Sequence, residues 1–147
     1  MAIINRTPDS FFDRGATFED GPAVAAVDSA VADGADIVDV GGVKAGVGPD
    51  VSVAQEIDRV APFVALIRER YPDLVISVDT WRAPVAEAAC RAGADLINDT
   101  WAGVDPGLAA VAASYGAGMV CSHTGGAAPR TNPHRVSYPD VVAAVIE

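Results

Sequence analysis

Basic residues are scarce in this chain, with 10 Lys and Arg against 20 Asp and Glu in 147 residues, for a formal net charge of −10. The isoelectric point is near 4.4. That balance excludes the broad basic footprint of non-specific nucleic-acid binding. It leaves an anionic small ligand open, because single arginines and helix N-termini can hold a phosphate inside an acidic protein. Cysteine is almost absent. Cys90 and Cys121 stand in no metal-type spacing and are expected as reduced thiols of a cytoplasmic protein. No apolar stretch is long enough to span a bilayer, so no membrane partner is expected. Met1-Ala2-Ile3-Ile4-Asn5 has neither a basic start nor a cleavage-type ending, and no signal peptide is expected. Against these absences stands a chain that is half apolar, enough to bury a core as one domain or a piece of one.

Five short, β-branched apolar runs each stop on polar residues. They are Ile3-Ile4-Asn5, Ile37-Val38-Asp39-Val40-Gly41-Gly42, Val75-Ile76-Ser77-Val78-Asp79-Thr80, Leu96-Ile97-Asn98-Asp99-Thr100 and Met119-Val120-Cys121-Ser122-His123. The runs read as strands buried on both faces. Core packing does not ask for a carboxylate, amide or imidazole at each end. Polar ends gathered at the C-terminal edge of a parallel sheet are how βα folds build a small-molecule site.

Between the runs, helical spacing is expected over 22–32, 53–69, 83–92, 106–114 and 139–147. Asp20 or Gly21 can cap the first helix and Asp105 the fourth. In the second, Val53, Ile57, Val60, Val64 and Ile67 fall near one face. Val31-Ala32-Asp33-Gly34-Ala35-Asp36-Ile37 is echoed by Cys90-Arg91-Ala92-Gly93-Ala94-Asp95-Leu96, and more loosely by Ala113-Ser114-Tyr115-Gly116-Ala117-Gly118-Met119. Each copy reads as helix end, glycine cap, strand start. Strands alternating with helices imply parallel strands and right-handed crossovers. A doubly wound sheet gathers its ligand groups at one switch point, whereas here every strand ends in them. The α/β class is therefore expected as a partial (β/α)8 TIM barrel, with residues 1–147 forming about its first five βα units.

The loop Asn5-Arg6-Thr7-Pro8-Asp9-Ser10-Phe11-Phe12-Asp13-Arg14-Gly15, taken with Val38-Asp39-Val40-Gly41-Gly42, Ser77-Val78-Asp79-Thr80 and Ile97-Asn98-Asp99, resembles dihydropteroate synthase in order and spacing. The Val43-Lys44 loop and Thr80-Trp81-Arg82-Ala83 resemble the second, divergent synthase-like paralogue of actinobacteria. The resemblance implies the N-terminal part of a pterin-binding TIM-barrel domain, residues 1–147. It further implies condensation of 7,8-dihydropterin pyrophosphate with p-aminobenzoate, assisted by Mg²⁺, in a protein expected to be a homodimer at full length. Asn5 matches the asparagine that contacts metal and pyrophosphate; on the residues alone it can equally close a turn before Thr7-Pro8. Asp79 and Asn98 match the pair that reads the pterin ring, through a carboxylate that accepts and an amide that does both. The alternatives are a helix cap for Asp79 and competition from Asp99 for Asn98. Asp39, inside the second strand, can point inward in a barrel and support its neighbours by hydrogen bonds, and Asp9, Ser10 and Asp13 lie in the family's first loop, which closes over substrate. Arg6 stands where the family has valine. His123 can be structural or functional, and Trp81 and Trp101 can pack beside the pocket or in the core.

Two departures bear on activity. After Gly41-Gly42 the family continues Glu-Ser-Thr-Arg-Pro-Gly, where this chain has Val43-Lys44-Ala45-Gly46-Val47-Gly48. Lys44 keeps a charge but not the planar fork of arginine, so p-aminobenzoate binding is not expected to be retained in full. The family's sixth- to eighth-strand residues have no counterpart in the sequence, and the polypeptide alone is expected to be inactive and poorly soluble. A non-catalytic pterin-binding protein or partner subunit, and a methyltetrahydrofolate-type methyltransferase, are the other readings.

Overall fold

The computed structural model describes residues 1–8, 15–131 and 136–146. Strands and helices alternate along the chain: β1 (Ala2–Asn5), α1 (Asp20–Ala32), β2 (Ile37–Gly41), α2 (Val53–Arg70), β3 (Val75–Asp79), α3 (Ala83–Ala92), β4 (Leu96–Asp99), α4 (Gly107–Tyr115), β5 (Gly118–Cys121) and α5 (Val141–Ile146). All four strand pairings are parallel, and the order across the sheet is β1-β2-β3-β4-β5. Sequential order without a reversal is the winding of a barrel; a doubly wound sheet would place a switch point among the strands. The chain is five parallel βα units of a barrel wall.

Register places residues in rows. Asn5, Gly41, Asp79 and Asn98 pair in succession across β1 to β4, and Ile3, Asp39, Ser77 and Leu96 form the row below. Side chains alternate faces, so both rows point to the inside of the wall. The intervening residues Ile4, Val40, Val78 and Ile97 point outward and are at most 2% exposed. There they meet Val60, Phe63, Val64 and Ile67 of α2, Val27 of α1 and Leu108 of α4. Burying one such side chain contributes ~1.5–3 kcal/mol.

The αβ turns behave as the internal echo implied. Gly34, Gly93 and Gly116 take φ of 88°, 114° and 66° at the helix ends, where a side chain would be strained. One cap expectation is corrected and the other holds. The N-cap of α1 is Glu19, without a side-chain bond, because the Asp20 carboxylate is drawn to Arg6. Asp105 caps α4 through Gly107 N (2.9 Å) and also accepts from Ala83 N (2.8 Å), so one carboxylate serves the starts of α3 and α4. The apolar stripe of α2 is also rotated from its expected position. Val53 is 37% exposed, while Glu56 is fully buried beside Val60, Phe63, Val64 and Ile67. Among the described residues no helix is long and apolar enough to cross a membrane.

Candidate functional site

The strand ends bound a cavity of about 760 Å³ on the inner face of the sheet. Its polar wall consists of Asn5, Asp39, Asp79, Asn98 and Thr100, with Lys44 of the loop after β2 at its margin. Gly41 stands between Asn5 and Asp79 in the upper row, so no side chain fills the gap between those two polar groups. The next residue, Gly42, is required for space: a Cβ there would lie 2.6 Å from Val60 Cγ2.

Asp39 lies inside β2 and is buried. Its Oδ1 accepts from Ser77 Oγ at 2.5 Å and its Oδ2 from Asn98 Nδ2 at 3.0 Å. Three strands are thereby tied through one carboxylate. Among the described residues Asp79 accepts one long bond, from Thr100 Oγ1 at 3.3 Å. Burial first, and then the neighbouring charge of Asp39, push the Asp79 carboxyl up to about 7, with Glu56 and Asp99 adding to the repulsion. Near neutral pH this carboxyl is poised between an acceptor and a donor. Asp79 does not cap α3; Thr80 Oγ1 receives Arg82 N instead, at 3.2 Å.

Behind this wall stands a residue that the sequence reading passed over. Glu56 of α2 is fully buried, accepting from Thr80 Oγ1 at 2.7 Å and from Arg82 Nη1 at 2.8 Å. Burial raises its carboxyl above the ordinary value, against the opposing pull of Thr80 and Arg82. It braces the β3–α3 turn that follows Asp79. A carboxylate within an otherwise apolar helix stripe was the signal that could have found it.

The other candidates divide. Asp99 faces outward and is buried, with Trp101 N (2.8 Å) and Gly103 N (2.6 Å) on its carboxylate, so it does not share the cavity with Asn98. Arg6, at 8% exposure, pins the return of the first loop. It donates to Thr17 O at 3.3 Å, meets Asp20 Oδ1 at 2.5 Å, and lies 4.6 Å above the Phe63 ring. Trp81 and Trp101 meet edge to face at 6.5 Å. His123 is exposed, with its ring 5.4 Å from that of Tyr138. Asp9, Ser10 and Asp13 lie outside the described residues.

A sequential βα wall with an acid, an amide and a second acid facing one cavity is matched, over residues 1–147, by the family profile of pterin binding enzymes. The chain belongs to the pterin binding enzyme family. It is 65% identical, over its whole length and 46% of the other chain, to "Inactive dihydropteroate synthase 2" of Mycobacterium bovis. It is 46% identical over 125 residues, 84% of its length and 47% of the relative's, to the dihydropteroate synthase of Streptococcus pyogenes. The crystal structure of Yersinia pestis dihydropteroate synthase in a sulfonamide drug complex superposes with a TM-score of 0.89 at 33% identity, covering 99% of this chain and 52% of that one. The chain spans about half the length of the curated relatives it matches. In this chain the described fold brings Asn5, Asp39, Asp79, Asn98 and Thr100 to one wall.

Among the described residues no trio of His, Cys, Asp or Glu is placed to hold a metal ion. Mg²⁺ takes hard oxygen ligands and keeps several waters, so a single side-chain oxygen could hold one of its positions. Asn5 offers one such oxygen, at the C-terminal end of β1.

Proposed function

We propose that this chain supplies the pterin-holding part of a folate-pathway barrel that binds 7,8-dihydropterin pyrophosphate without condensing it with p-aminobenzoate. The observation that carries this reading is the inner wall, where Asp39 holds Asn98 in place beside Asp79. A pterin edge is a row of N–H donors and ring acceptors. A pocket of buried polar groups favours ligands that pair with all of them and rejects those that leave one unpaired. The loop 43–48 supports the second half of the reading. It brings Lys44, Ala45 and Gly46 to the cavity margin, where the family sequence has a hydroxyl, a guanidinium and a proline.

In this reading Asn5 takes one position on Mg²⁺, whose charge offsets that of the pyrophosphate. Asp9, Ser10 and Asp13 belong to the loop over the substrate, the protein is cytoplasmic, and the assembled barrel is a homodimer. Isothermal titration with 7,8-dihydropterin pyrophosphate, then with p-aminobenzoate, tests the proposal. Binding of the first and no heat from the second is the expected result. Pyrophosphate release matched by dihydropteroate formation would overturn it in favour of an active synthase. That second reading draws on the 46% identity to the Streptococcus pyogenes enzyme.

A further inference from the structure

Asn98 is an amide, and an amide turned end over end swaps an acceptor for a donor. Two distances settle which way it stands. Asp39 accepts with both oxygens, from Ser77 Oγ at 2.5 Å and from Asn98 Nδ2 at 3.0 Å. A carboxylate can only accept, so the nitrogen end of Asn98 must face it and the carbonyl end must face away. Asp39 is held in turn by Ser77, a fully buried hydroxyl one strand over, between β2 and β4. Ser77 is not among the residues lining the cavity, and the function proposed above leaves it without a role.

We propose that Ser77 is a positioning residue that holds the Asp39 carboxylate in the rotamer from which that carboxylate sets the polarity of ligand recognition. Through Asp39 it locks the Asn98 amide with Oδ1 toward the cavity, so the bound heterocycle must present an N–H donor to that atom. The inference rests on the pterin-binding reading and names the ligand edge that this reading requires. The chain of donors runs one way, from the Ser77 hydroxyl to Asp39 Oδ1 and from Asn98 Nδ2 to Asp39 Oδ2. Reversing the middle member should reverse the end. In Asp39→Asn, with Ser77 still donating as it does to the carboxylate, the introduced amide accepts from Ser77 and donates toward position 98. Asn98 must then turn its oxygen inward and show its NH₂ to the ligand. Adding Asn98→Asp restores an acceptor at the cavity, because the introduced carboxylate takes the donated N–H with one oxygen and offers the other.

The test is the dissociation constant for 7,8-dihydropterin pyrophosphate in the wild type, Ser77→Ala, Asp39→Asn and the Asp39→Asn/Asn98→Asp double variant, with circular dichroism confirming fold. Asp39→Asn is expected to weaken binding by at least roughly tenfold, as mispaired buried polar groups do. The double variant is expected to recover most of that loss, and Ser77→Ala to fall between. A double variant that binds no better than Asp39→Asn alone overturns the proposal, since a merely structural pair gains nothing from the swap. The ligand-free side-chain amide signal of Asn98 in ¹⁵N NMR gives an independent readout. One slowly exchanging N–H is expected in the wild type and faster exchange in Ser77→Ala; identical exchange in the two overturns the proposal. A wild type that ignores the pterin pyrophosphate yet shows the protected N–H sinks the pterin reading and leaves the polarity lock standing.

Discussion

On its outer face the sheet carries Ile4, Val40, Val78 and Ile97, sealed under α1 to α4. On its inner face the same strands, one residue out of step, carry Asn5, Asp39, Ser77, Asp79 and Asn98. The outer layer is built by close packing, where any apolar shape of the right volume serves. The inner layer consists of polar groups whose partners are specified one by one, and among the described residues one of them, Asp79, has a single long bond. Stability resides on one face and recognition on the other, and substitutions should separate them.

The largest effect is expected from Phe63→Ala. The ring is 2% exposed under the sheet and also carries the Arg6 guanidinium. Its loss should cost ~3–5 kcal/mol in urea unfolding. A cost below about 1 kcal/mol would mean that α2 is not the principal seal of the outer face. Next is Glu56→Ala, which strands Arg82 and Thr80 beside the inner wall. Breaking such a buried pair should cost ~3 kcal/mol, with Glu56→Gln milder because it keeps an acceptor for Thr80. Equal losses in the two variants would show that the Thr80 bond contributes nothing.

Asp79→Asn should move the other way. The carboxyl titrates near 7 in the folded chain against an ordinary 3.8. Below the unfolded value both states hold the proton and the group has no effect on stability. Between the two values the unfolded chain ionises first, so stability falls as pH rises, and above about 7 the loss is complete. Replacing the acid removes that loss, so the variant should match the wild type near pH 4 and be the more stable of the two at pH 8. Melting curves at the two pH values decide this, and a variant less stable at pH 8 would refute it. Pterin binding should be lost in the same protein, which would separate recognition from stability in a single variant. The smallest effect is expected from Arg91→Ala on the outer surface of α3. Its pair with Glu87, one turn apart, is exposed on both sides and should be worth no more than ~0.5 kcal/mol.

Much of this arrangement was legible in the sequence. Strand and helix ends fall within two residues of where periodicity places them, because β-branched runs and glycine turns are local signals. Asp39 is expected to point inward and support its neighbours, and its bonds to Ser77 and Asn98 are such contacts. What escaped was carried by contacts between distant segments. The Arg6 clamp joins residues 6, 17 and 20, and the Glu56 brace joins α2 to the turn after β3. The division between Asn98 and Asp99 was legible in principle, since neighbours in a strand face opposite ways.

The single carboxylate at the centre of the inner wall also bears on how the chain folds. Parallel strands can pair in more than one offset, and a slip of one residue moves every side chain to the opposite face. Such a slip in β2 would thrust Asp39 among Val60, Phe63 and Val64, away from Ser77 and Asn98, while Val40 turned toward water. Only the correct offset lets Ser77 and Asn98 reach it together. Asp39 thus acts as an assembly checkpoint, admitting one alignment of β2, β3 and β4 and rejecting its neighbours before any ligand arrives.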